Sequence, residues 1–81
     1  MLQTASLVRS LAGKDKGQLF GVVREDADGV WLADGKLRPL ERPKRKNPRH
    51  IQPLERLLDG TAMTTNRALR RALRQAAEDG V

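Results

Sequence analysis

Apolar and polar residues alternate along the first third of the chain, and that alternation predicts short strands. Over 5–12, Leu7, Arg9 and Leu11 alternate with Val8, Ser10 and Ala12, a period-two pattern with the apolar and β-branched content of a strand. Residues 13–17, Gly-Lys-Asp-Lys-Gly, read as a hairpin loop. The most strand-like segment follows at 18–24, and Gly21 inside it predicts a bend or bulge of the kind that curls a sheet. Residues 25–29 and then Asp34-Gly35 are turn signals, because Asp hydrogen-bonds nearby backbone and Gly accepts positive φ at little cost. Between them only a four-residue strand fits, 30–33. Residues 36–40 are expected to pair back as a fourth strand, with Pro39 confining its end to an edge or an exit. Four short strands joined by tight turns describe a barrel or an open roll.

Beyond residue 40 the pattern changes. Residues 41–50 hold two prolines and five basic side chains, so they are expected to lie extended on the surface and not to form a central strand. Ile51, Leu54, Leu57 and Leu58 then supply apolar surface to close the barrel as a fifth strand or a helical turn, and Asp59-Gly60 ends that unit. The expected division is a barrel over 1–60 and a C-terminal arginine-rich helix within 61–81. Thr64 or Thr65 caps a helix running over 66–79, with Gly80 as its stop. Leu69, Ala72, Leu73 and Ala76 follow i, i+3, i+4, i+7, while Arg67, Arg70, Arg71 and Arg74 repeat that spacing on the other side. Two Leu plus Ala make a thin apolar face, so the helix should depend on docking to the barrel, to RNA or to another subunit. Glu78 and Asp79 oppose the helix dipole and predict fraying.

Composition narrows what such a fold can do. Eighty-one residues form one domain at most, with little interior to hollow into a substrate cleft, so function is expected on the surface. Apolar residues at 38% and charged ones at 32% suit a folded domain with a compact core. Sixteen Lys and Arg against ten Asp and Glu leave a net charge of +6, a surplus that draws polyanions, and nucleic acid is the polyanion it points to. With no Cys and a single His, neither a disulfide nor a metal site is expected. No nucleophile stands beside a base, no Gly-rich phosphate loop opens a helix and no carboxylates pair in an apolar setting, so no enzymatic activity and no cofactor are expected. Nowhere do even ten apolar residues run together, and no basic stretch leads into a signal-like apolar run, so the cytoplasm is the expected compartment, without a membrane partner.

Residues 7–35 resemble the KOW motif of RNA-binding proteins. The match rests on Gly13-Lys14-Asp15-Lys16-Gly17-Gln18, on Val22-Val23 and on Val30-Trp31-Leu32, and Gly17 falls where the motif keeps its central glycine. It extends through Lys36-Leu37-Arg38-Pro39 and the proline-rich basic segment 42–50 to the short stand-alone bacterial KOW proteins, which are similar to ribosomal large-subunit proteins. The resemblance implies a mainly β fold, a small SH3-like barrel of four to five antiparallel strands with the C-terminal helix appended. It also implies a structured RNA partner, ribosomal RNA foremost. Phe20 just before Gly21 departs from the pattern, and the arginine-rich tail lies outside it. A rival implication is a protein-interaction module of the transcription or translation machinery, since KOW barrels resembling those of the NusG factors hold proteins with the same surface.

The candidate RNA contacts are three groups of cations. Lys14 and Lys16 flank the hairpin tip; Arg42, Lys44, Arg45, Lys46, Arg49 and His50 form a basic track; Arg67, Arg70, Arg71 and Arg74 line the tail helix. Phe20 and Trp31, the only aromatics, are expected in the core. So few rings argue for recognition of RNA by shape and backbone and against a platform that stacks bases one after another.

Overall fold

A computed structural model describes residues 2–81. Strands β1 (Ser6–Ser10), β2 (Leu19–Asp26), β3 (Gly29–Ala33), β4 (Lys44–Lys46) and β5 (Ile51–Leu57) form one antiparallel sheet in the order β4-β3-β2-β1-β5, followed by helix α1 (Asn66–Glu78). The mainly β reading with a C-terminal helix therefore holds. The sheet ends in β4 on one side and β5 on the other, joined by a 3-10 turn at Pro48–His50; among the described residues these two edges share no ladder pairing, so the ladder is not a closed barrel. No helix among the described residues is long and apolar enough to cross a membrane.

The fourth strand is not where the sequence places it. Residues 36–40 belong to a loop wound around Asp34, whose carboxylate Oδ1 accepts from the backbone N–H of both Lys36 and Arg38, each at 2.8 Å. The Leu40 N–H is likewise taken by the side chain of Asn66 at 2.8 Å, so this segment has few donors to offer a ladder. The strand forms instead at Lys44–Lys46, where Val30 faces Lys46, Trp31 faces Arg45 and Leu32 faces Lys44. An edge strand pairs on one side only and tolerates charge, and Pro43 and Pro48 stand outside its paired residues.

Both faces of the sheet are buried. Val8, Phe20, Val22, Val30, Leu32 and Ile51 fill one side. Ala5, Leu7, Ala33, Leu58, Ala62, Leu69, Leu73 and Ala76 fill the other, so the helix docks on the sheet and supplies part of a shared core. Each fully buried Leu or Val contributes about 1.5–3 kcal/mol relative to exposure. Gly21 makes that docking possible: a Cβ there would lie 3.1–3.2 Å from side-chain atoms of Leu69, Met63 and Leu58. The bulge expected at Gly21 occurs just after it, between Val22 and Arg24. Thr65 caps α1 by accepting from the Ala68 N–H at 3.0 Å. Asp79, just beyond the helix, is held by Arg56 of β5 at 2.9 Å and by Gln75 at 3.0 Å, which ties down the end where fraying is expected.

Candidate nucleic-acid interface

The hairpin tip between β1 and β2 separates its three charged residues. The Lys16 N–H donates to Gly13 O at 3.2 Å and the Gln18 N–H to Asp15 O at 2.9 Å, while Gly13 and Gly17 take φ near +90°. Such a tight turn leaves Lys14 and Lys16 exposed and turns Asp15 inward. There the Asp15 carboxylate accepts from Ser10 Oγ at 2.6 Å, Lys46 Nζ at 2.6 Å and Lys44 Nζ at 3.0 Å. Burial alone would raise the Asp15 pKa, but the hydrogen bonds from Lys46, Ser10 and Lys44 outweigh it and hold the carboxyl well below the usual carboxylate range.

Lys46 is consequently not part of an exposed basic track. It is 8% exposed, and its three N–H donors go to Ser10 Oγ and Ala12 O, both at 2.8 Å, and to Asp15. The period-two geometry of β4 points Lys46 inward and Arg45 outward, so consecutive cations in this run have opposite roles. Lys44 is half-buried and holds the other oxygen of Asp15.

Two grooves adjoin along Gln18 and Asp34, whose side chains are joined by a hydrogen bond from Gln18 Nε2 to Asp34 Oδ2. The first, about 480 Å³, lies between the hairpin tip and the 34–44 segment and is lined by the cations Lys14, Arg38 and Lys44, with Leu37 as exposed apolar surface. The second, an open groove of about 900 Å³ beside α1, is lined by Arg9, Lys36, Arg70 and Arg74. Arg9 is fixed by donation to Gly17 O at 2.8 Å and to the Val81 carbonyl, and Arg70 by donation to Gly35 O at 2.6 Å. A guanidinium has five N–H donors, so both retain donors for an anion. The carboxylates that line the grooves, Asp15 and Asp34, are already engaged by lysines and by backbone and amide donors.

Of the cations expected to contact RNA, the structure brings together Lys14, Lys44, Arg70 and Arg74 in these grooves. Lys16, Arg42, Arg45, Arg49, His50, Arg67 and Arg71 are exposed but do not line them. Arg49 and His50 sit in the 3-10 turn, whose His50 carbonyl accepts from the Leu11 N–H at 2.8 Å. Arg9, Lys36 and Arg38 join them, although each stands apart from the basic runs of the sequence and reaches the grooves only through the fold.

Trp31 is not in the core. It lies half-buried on the sheet face opposite to Val30 and Leu32, with the Arg24 guanidinium 4.4 Å from its ring centroid and its Nε1 donating to Asp26 Oδ2 at 3.0 Å. Phe20 does occupy the core. Among the described residues, no group of three or more His, Cys, Asp or Glu gathers in a way that could hold a metal ion. Neither family models nor the curated proteins contain a match to this chain.

Proposed function

We propose that this chain is a non-catalytic RNA-binding protein, similar to the KOW-motif proteins, that holds structured RNA by its phosphates, ribosomal RNA being the foremost candidate. The observation that carries the proposal is the convergence of six cations, two in one groove and four in the next, on a continuous surface where Lys44 and Lys46 neutralise Asp15 and backbone and amide donors hold Asp34. They come from β1, the hairpin tip, the 36–40 loop and α1, so the charge is concentrated by tertiary structure beyond what any local run provides. Cations fixed along a groove match the repeating charge of a ribose-phosphate chain, which supplies affinity without reading sequence.

The binding is electrostatic in this account, and its salt dependence is the test. If five or six phosphates are neutralised, log affinity should fall against log salt with a slope of roughly −4 to −5, at about 0.7–0.9 per contact. Fluorescence anisotropy with a labelled structured RNA over a potassium chloride series measures that slope. A nearly flat response, or absence of binding at low salt, overturns the proposal.

A further inference from the structure

We infer that the smaller groove takes one unpaired nucleobase of the RNA, so that the preferred ligand is a structured RNA with a bulged or looped-out nucleotide and not a continuous duplex. This inference rests on the RNA-binding reading and specifies its ligand. Three features of the groove support it. The first is Leu37, a large apolar side chain 76% exposed on the groove wall. Apolar surface in a cationic groove serves no phosphate, but it does suit the flat face of a base.

The second is Gln18. Its Nε2 is fixed by the hydrogen bond to Asp34, which orients the amide and leaves it one N–H and the Oε1 acceptor. A donor and an acceptor side by side can pair with the edge of a base, which is accessible only when the base is out of its stack. The third is the rim: Lys14 and Arg38 are exposed and Lys44 half-buried, placing cations beside the groove for the phosphates that flank an extruded nucleotide. The volume of about 480 Å³ is within the range of sites that enclose small ligands, and the neighbouring groove along α1 continues the cationic surface for the backbone. A duplex presents its bases stacked and paired, so it can use the cations but not the Leu37 wall.

The experiment compares a blunt-ended two-strand RNA duplex carrying one bulged nucleotide with the same duplex lacking it, by anisotropy titration of the full chain and of Leu37→Ala. At 76% exposure Leu37 contributes little to folding, and circular dichroism verifies that the variant is folded. The parent should bind the bulged RNA roughly tenfold more tightly, as expected when a base covers about half of an exposed leucine side chain. Leu37→Ala should bring the two affinities to within about twofold while leaving affinity for the unbulged duplex unchanged. Equal parental affinities, or a preference that survives in Leu37→Ala, overturn the inference and leave the phosphate-binding reading standing. If neither RNA binds, that reading fails as well.

Discussion

Substituting Lys46→Met removes an ammonium from the network under the hairpin tip while keeping most of the volume of the stem. Ser10 Oγ and Ala12 O each lose a donor at 2.8 Å, and Asp15 loses its donor at 2.6 Å. Removing one partner of a buried ion pair costs about 3–5 kcal/mol. Asp15 keeps Lys44 at 3.0 Å and Ser10 at 2.6 Å, so the lower end applies, about 3 kcal/mol. A chain of 81 residues has a total stability of roughly 4–12 kcal/mol, so this one change removes a large share. At 4–8 °C per kcal/mol for a domain of this size, the midpoint should drop by about 12–24 °C in a thermal melt followed by circular dichroism at neutral pH. Asp15→Asn combined with Lys46→Met should be milder than the sum of the single changes by at least about 0.5 kcal/mol, because the carboxylate is no longer left in need of the ammonium. A Lys46→Met variant that melts within about 3 °C of the parent would refute the reasoning.

Four other outcomes follow from the same structure. Gly35→Ala should be severe, because φ is +78° and the new Cβ would sit 2.4 Å from Asn66 O at the start of α1, whereas Gly17→Ala, at φ +90° with open space around it, should cost only about 1–2 kcal/mol in a urea melt. Asp15 has a folded pKa below its unfolded value, so its contribution is present above about pH 4 and is lost as pH falls below that; Asp15→Asn should flatten that part of an acid-stability profile. Deleting residues 62–81 uncovers Ala5, Leu7, Ala33 and Leu58, and should abolish a cooperative melt instead of leaving an intact sheet. Leu69→Ala, at a fully buried contact between helix and sheet, should cost about 2–5 kcal/mol by chemical denaturation.

The parts of the fold legible in the sequence were those set by local periodicity. Leu7-Val8, the run around Phe20 and Val22, and Val30 with Leu32 have the spacing of strands, and the Leu69-Leu73-Ala76 spacing gave the docked face of α1. β4 escaped because Lys44-Arg45-Lys46 contains no apolar residue: its inward position is filled by a lysine stem whose charge is satisfied by Asp15, a partner 31 positions away. Trp31 departs from the core expected for it because its ring, on the face opposite Val30 and Leu32, is taken by Arg24 and Asp26 at the sheet's surface, a pairing that alternation does not reveal. The cationic surface was half legible. Runs of Lys and Arg draw attention, yet Arg9, Lys36 and Arg38 are isolated, and only the sheet order and the Asp34-centred loop bring them to the same grooves.

Whether those grooves are the RNA contact is tested most directly by two variants of equal charge. One carries Lys14→Gln, Lys36→Gln, Arg38→Gln and Arg74→Gln, four exposed cations of the grooves; the other carries Arg42→Gln, Arg49→Gln, Arg67→Gln and Arg71→Gln, four exposed cations outside them. The salt slope of binding to the same structured RNA is measured for each. The groove variant should be shallower than the parent by about 3 units, at about 0.7–0.9 per phosphate contact, while the other variant stays within about one unit of the parent. Equal losses in both, or the larger loss in the variant outside the grooves, would contradict the account.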